Sequence, residues 1–279
     1  PSPPQQQCKA APPSGTKVGV SLSTVGQTLH QSLGSVDSTF GRVPVVRHFS
    51  PGLPFGWNSS SASTLKGRTL VLSFKVHPSQ INNGSQDAFL RNWFKTAPTD
   101  QIIYWSYYHE PENNINRGEF TSEEYRRAWQ RVSRIAAEAC KPDLFATLIL
   151  TEWTMNPGSK RDYRTYDAGK DYVDVIAFDP YNAVYNPKST TYIPADKLLG
   201  DIATKMRADG RPWGIAELGS RVVVGDNGTG RAAWLASIAS YARANNARFV
   251  TYFHDIGPNG DWRLRDRVSQ QAWAQQVAR

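Results

Sequence analysis

A single α/β domain, a (β/α)8 or TIM barrel, is predicted by three features of this 279-residue sequence. Eight short apolar runs of strand length are separated, for the most part, by segments with helical periodicity. The runs are near-continuous rather than alternating, the pattern of parallel strands buried on both faces. The length is close to the roughly 250 residues of such a barrel. No Gly-x-Gly-x-x-Gly follows any run, which removes support for an open dinucleotide-binding sheet.

The elements are read in chain order. Residues 1–15, PSPPQQQCKAAPPSG, are a polar Pro/Gln-rich lead-in, and the barrel domain is expected over 16–279. Strands are expected at Lys17–Ser23, Arg42–Phe49, Thr69–Val76 and within Gln101–Asn114, where Ile102 to Trp105 are β-branched and aromatic and Pro111 ends the pairing. The later strands are Leu144–Trp153, Val173–Asn182, Pro212–Ser220 and Ala247–Asp255. Helices are expected at Val25–Leu33, Gln86–Thr96, Thr121–Ala139, Asp196–Ala208, Gly230–Asn245 and Arg265–Ala278. Thr121-Ser122-Glu123-Glu124 reads as a capping box, followed by the apolar stripe Tyr125, Trp129, Val132, Ile135 and Ala136. Pro51-Gly52 and the polar stretch Asn58 to Ser63 read as a loop with Trp57 in it.

Composition narrows the class. No run of 18 apolar residues occurs, so no membrane partner is expected. The formal net charge is +8, but the basic residues are scattered, which fits a soluble basic surface better than a nucleic-acid site. A mild attraction to acidic polymers or cell surfaces is compatible with that charge. The two cysteines, Cys8 and Cys140, form no metal-binding spacing. Two readings stand for them: buried free thiols, or a disulfide between the N-terminal tail and the helix that carries Cys140. The Pro/Gln opening reads as a processed end or a linker and favours export, so a secreted, extracellular monomer is expected.

In a barrel of this kind the active site lies at the carboxyl ends of the strands. Those ends supply Arg47 and His48, Lys75 and His77, His109, Glu110 and Asn113, Glu152 and Trp153, Asp179 and Tyr181, Glu217, and His254 and Asp255. Strand alternation puts Tyr104, Ser106, Tyr108 and Glu110 on one face, and Trp213, Ile215 and Glu217 on another. If both faces point inward, Glu110 and Glu217 are a pair of carboxylates. Glu217 also reads as the ion-pair partner of Arg47 or another basic group, and the two roles are compatible. Glu112 competes with Glu110 as the acid. Paired carboxylates are the machinery of glycoside hydrolysis: one protonates the leaving oxygen, the other attacks the anomeric carbon, and in retaining enzymes they lie about 5 to 5.5 Å apart. Trp57, Trp153 and Trp262 suit stacking against sugar rings, whereas Trp105 and Trp129 read as core.

These motifs resemble the retaining glycoside hydrolases of clan A, and among them family 26, the β-mannanases. The resemblance rests on His109-Glu110, on Tyr172 to Ile176 with Asp179-Pro180-Tyr181, and on Glu217-Leu218-Gly219. It implies Glu110 as acid/base, Glu217 as nucleophile, His109 as a positioning group and Tyr181 as a hydrogen-bond donor to the nucleophile. Arg47, His48, Trp57, Trp153, Asp179, His254 and Trp262 complete the expected substrate-binding set. Pro111-Glu112 departs from the Met-Asn that the family often has there, and a strand-eight Trp is missing unless Trp262 substitutes. The expected reaction is endo hydrolysis of a β-linked polysaccharide, β-1,4-mannan first, with β-glucan, xylan or a cell-wall glycan as alternatives. No cofactor or metal is expected. The rivals are a non-catalytic carbohydrate-binding barrel and a metal-assisted hydrolase with His48, His109 and Asp179 as ligands.

Overall fold

The computed structural model describes residues 8, 10–182 and 186–279, so most of the expected Pro/Gln tail lies outside the described residues. In chain order the elements are β1 (Lys17–Ser21), α1 (Leu29–Phe40), β2 (Val45–Ser50), α2 (Ser60–Leu65), β3 (Thr69–Phe74), α3 (Pro78–Asn82), α4 (Asp87–Thr96), β4 (Ile103–Tyr107), α5 (Glu112–Asn116), α6 (Ser122–Glu138) and β5 (Leu144–Thr151). They continue with β6 (Val175–Asp179), β7 (Tyr181–Asn182), α7 (Ala195–Ala208), β8 (Trp213–Ser220), α8 (Thr229–Ala244), β9 (Phe249–Tyr252), the hairpin strands β10 (Ile256–Gly257) and β11 (Gly260–Asp261), and α9 (Arg267–Val277). The chain is a (β/α)8 barrel: the sheet order is β6-β5-β4-β3-β2-β1-β9-β8-β7, with β6 also paired to β8. β8 and β9 are its seventh and eighth strands. Two compact units make up the chain, Pro1–Pro13 with Phe49–Ala177 and Ser14–His48 with Phe178–Arg279.

The first unit is built on β3, β4 and β5. β3 and β4 run parallel in register from Leu70 opposite Ile103 to Phe74 opposite Tyr107. β4 pairs with β5 from Ile103 opposite Leu144 to Trp105 opposite Ala146. Outward-facing aromatics glue the helices to these strands. Trp105 stacks on Trp129 of α6 at 5.4 Å and meets Phe94 of α4 edge-on at 5.0 Å. Both tryptophans are fully buried, the core role expected for them. α6 starts at the expected capping box, with the Glu124 N–H donating to Thr121 Oγ1 at 3.1 Å and the Thr121 N–H to Glu124 Oε2 at 2.7 Å. Cys8 and Cys140 form a disulfide at the far end of that helix, which decides between the two readings of the thiols.

The second unit packs β1, β8 and β9 under α1, α7, α8 and α9. β1 pairs with β9 from Lys17 opposite Phe249 to Val20 opposite Tyr252, and with β2 at Ser21 opposite Arg47. Gly19 has a steric reason: a Cβ there would lie 1.8 Å from the Val45 carbonyl oxygen.

Several expected boundaries move. The first helix runs over Leu29–Phe40 rather than Val25–Leu33, because Thr28 and Gln31 form a capping box and Val25 is 78% exposed. Ser59 caps a short helix where a loop is expected. The fifth strand ends at Thr151 in a 3-10 turn over Glu152–Met155. The sixth breaks at Pro180, which has no N–H to donate.

Candidate active site

The first unit holds the expected acid. β4 ends at Tyr107, and the next residues leave extended geometry: Tyr108 has φ 48° and Glu110 has φ 51°. Left-handed backbone is costly for such side chains and clusters at functional sites. The surroundings hold it in place. The Tyr108 N–H donates to the Phe74 carbonyl at 2.8 Å, and the Glu110 N–H to the Ile149 carbonyl at 2.9 Å. The buried Tyr125 hydroxyl donates to the Tyr108 carbonyl at 3.0 Å. The expected alternation of Tyr104, Ser106, Tyr108 and Glu110 therefore stops at Tyr107. Glu110 is aimed by two left-handed residues, not by the pleat. It is partly exposed, as is His109, whose ring lies 5.6 Å from Phe49. The Lys75 ammonium sits 5.2 Å from the centre of the Tyr108 ring.

Glu112 is fully buried. Its Oε1 accepts from the Thr151 N–H at 2.8 Å, the Thr151 hydroxyl at 2.9 Å and the Thr154 hydroxyl at 2.7 Å. This carboxylate ties the turn after β4 to the turn after β5, which carries Glu152 and Trp153. A side chain enclosed in this way has no access to a leaving oxygen, so Glu112 does not compete with Glu110. The sequence gives no signal for this clamp beyond a Glu directly after Pro111.

The second unit holds the expected nucleophile. Glu217 is 7% exposed and is held by Tyr181 and Arg47, among other groups. The Tyr181 hydroxyl donates to its Oε2 at 2.7 Å, and Arg47 Nη2 lies 3.6 Å from its Oε1. Arg47 is fully buried, and its Nη1 also donates to the His48 carbonyl at 3.0 Å. A cation and a hydroxyl donor on one carboxylate stabilise its anion. The register between β8 and β9 shifts here: Ile215 faces Val250, but Leu218 faces Tyr252, so one extra residue lies across Ala216 and Glu217. This bulge, not strict alternation, turns Glu217.

Gly219 completes the arrangement. Tyr181 of β7 pairs with Gly219 of β8, and a Cβ on Gly219 would fall 2.5 Å from two ring carbons of Tyr181. The glycine of Glu217-Leu218-Gly219 is thus the seat of the tyrosine that bonds the glutamate. Trp262 is buried behind this tyrosine, with ring centres 4.8 Å apart and the Arg221 guanidinium 4.9 Å from its own ring. It buttresses Tyr181 and offers no open face to a sugar, contrary to the expectation for it.

The remaining expected residues sort by placement. Trp153 is 45% exposed on the turn after β5 and is an open platform. Trp57 is drawn to the helical layer instead: its indole N–H donates to the Trp93 carbonyl of α4 at 2.9 Å and its ring lies 5.0 Å from that of Trp93. Asp179 ends β6 and is buried. His48 is pushed down to about 4 by burial and by the Arg47 charge. His254 is also pushed down to about 4, chiefly by burial. Its Nδ1 accepts from the Leu264 N–H at 3.1 Å, so the neutral ring carries its proton on Nε2. Among the described residues no group of three His, Cys, Asp or Glu side chains is arranged to hold a metal ion, and no helix is long and apolar enough to cross a membrane.

Solved structures share this fold. The catalytic domain of a family 26 endo-β-1,4-mannanase from Bacillus sp. JAMB-750 matches with a TM-score of 0.62 at 14% identity, over 95% of this chain and 86% of that one. A family 26 β-mannanase from Bacteroides ovatus matches with a TM-score of 0.61 at 13% identity, over 98% and 91%. A family 39 glycoside hydrolase from Bacteroides cellulosilyticus WH2 matches with a TM-score of 0.62 at 14% identity, over 95% and 64%. No protein-family model matches the sequence, and no curated protein does.

Proposed function

We propose that this chain is a retaining glycoside hydrolase acting on a β-linked polysaccharide, with β-1,4-mannan as the first substrate. The observation that carries the reading is Glu217: a nearly buried carboxylate at the end of the seventh strand, held by Arg47 and Tyr181. A carboxylate in that setting has a task beyond capping a loop. The barrel it stands on is also the fold of family 26 mannanases.

In this reading one Glu217 oxygen attacks the anomeric carbon while the Glu110 carboxyl gives its proton to the departing glycosidic oxygen. The product is a glycosyl ester on Glu217 and a free sugar hydroxyl. Glu110, now ionised, takes a proton from water, and that water displaces Glu217 with net retention. Tyr181 and Arg47 keep the nucleophile oriented and charged. Trp153 supplies an exposed apolar face for the C–H side of a sugar ring, and the proposed action is endo. The Cys8–Cys140 disulfide supports an oxidising, extracellular setting, and the chain acts as a monomer.

The test is hydrolysis of a panel of plant, fungal and bacterial wall polysaccharides by wild type, Glu110→Gln and Glu217→Gln. Loss of activity in both variants, with the β-anomer released first by wild type, is the expected result. Full activity of Glu217→Gln on a polymer that wild type cuts overturns the assignment. Binding without cleavage by wild type transfers the reading to a carbohydrate-binding barrel.

A further inference from the structure

The outward face of α6 carries a feature that hydrolysis does not use. Arg127, Gln130, Arg131 and Arg134 recur at the i, i+3, i+4, i+7 spacing of one helical stripe. The opposite stripe, Tyr125, Trp129, Val132 and Ile135, is buried. With Asn82 from the end of α3, the outward four line a cavity of about 250 Å³ whose lining includes no carboxylate.

Two of the three guanidiniums are fixed in advance. Arg131 is forked on Asp87, Nε to Oδ1 at 2.8 Å and Nη2 to Oδ2 at 2.7 Å. Arg134 lies 5.5 Å from the centre of the Tyr172 ring. Asp87 offsets one cation and is itself shared with Arg91 at 3.6 Å. Glu124, the acid one turn before Arg127, has its Oε2 engaged by the Thr121 N–H at 2.7 Å and the Thr121 hydroxyl at 2.9 Å. The lining itself therefore holds three guanidiniums and no carboxylate, with Asp87, Glu123, Glu124 and Glu138 outside it, and Arg127 and Arg134 stand about 10 Å apart along the helix axis. The guanidinium fork matches carboxylates. The Asn82 amide nitrogen donates to the Glu124 carbonyl at 3.0 Å and that of Gln130 to the Ala168 carbonyl at 3.5 Å, so it is their side-chain oxygens that match sugar hydroxyls.

We propose that this groove is a second carbohydrate site that binds an acidic polysaccharide through its uronate carboxylates. Carboxylates seat on Arg127 and Arg134, with Arg131 as the fixed floor between them. The site holds the protein on an acidic matrix and is independent of the hydrolytic reading. The formal charge of +8 adds long-range attraction, and the arginine stripe supplies the place where it is spent on defined contacts.

Affinity electrophoresis through gels containing polygalacturonate or neutral dextran, an α-linked polymer that is not a proposed substrate, tests this. Wild type is expected to be retarded by polygalacturonate and released by high salt. Arg127→Glu/Arg134→Glu is expected to weaken retention about tenfold or more. Lys66→Glu/Arg207→Glu removes the same charge from exposed positions elsewhere and is expected to leave retention within about twofold of wild type. Circular dichroism confirms folding, and Arg127→Gln/Arg134→Gln replaces the first variant if that one fails to fold. Equal losses in the two pairs would mean general charge and not a site. Absence of retardation, equal retardation by the neutral polymer, or stronger retardation by polyphosphate also overturns the proposal.

Discussion

At the scale of single residues, the account turns on how a few side chains are aimed. Gly219 leaves the space that Tyr181 fills, and Tyr181 bonds Glu217. Gly219→Ala is expected to displace the ring and lower kcat/KM about 100-fold, the effect of a misplacement of roughly 1 Å. Tyr181→Phe should fall by a comparable factor, and both variants should keep the wild-type circular dichroism spectrum. A wild-type rate for Gly219→Ala would show that the tyrosine bond is dispensable. Glu112 and Glu110 separate in the same way. Glu112→Ala leaves three donors without their acceptor and is expected to cost about 3 kcal/mol or more in urea unfolding. Glu112→Gln should retain most hydrolysis, whereas Glu110→Gln should lose about 10²- to 10⁴-fold with little change in stability. Glu110 and Glu217 were legible as strand-end carboxylates in apolar runs. The Glu112 clamp was not, because its donors, Thr151 and Thr154, are 39 and 42 residues away in sequence.

Elements explain which local expectations hold. α6 was legible because capping box, apolar stripe and length agree with one another. β4 and β8 were legible as strands but not in their last residues. Alternation fails at Glu110 because β4 ends at Tyr107 and Tyr108 turns left-handed, and it fails around Glu217 because of the bulge. Neither departure has a short-range signal, since each is imposed by neighbouring strands. Trp57 and Trp262 show the same limit: a loop tryptophan is apolar wherever it goes, and tertiary packing sends one to α4 and the other behind Tyr181. The staple on α6 gives a prediction at this scale. Cys8→Ser/Cys140→Ser opens a covalent loop spanning 132 positions and is expected to cost about 2–5 kcal/mol. A reducing agent should lower the urea midpoint of wild type and leave that of the double variant unchanged.

For the whole molecule, the eight-strand count and the parallel order were legible because strands buried on both faces leave long apolar runs. Two histidines near their ends contribute to how stability responds to pH. His48 and His254 are both held near 4, below the ordinary histidine value of about 6.5. Between those values the unfolded chain binds more protons than the folded one, so stability rises with pH across this window. The contribution is fully present above about 6.5 and is lost as pH falls through about 4. The urea midpoint is expected to drop from pH 7 to pH 4. His254→Asn, which keeps an acceptor for the Leu264 N–H but cannot be protonated there, should shrink the drop. A midpoint that stays flat over this range contradicts the burial account of both rings.

The central claim is that Glu217 becomes covalently bonded to the sugar. Incubation with a 2-deoxy-2-fluoro glycoside of the preferred sugar slows breakdown of the ester and allows peptide mapping by mass spectrometry. The predicted result is one sugar per chain, on the peptide that contains Glu217, and none on Glu217→Gln. A label on the peptide containing Glu110 and Glu112 would contradict the claim. So would hydrolysis with inversion and no label.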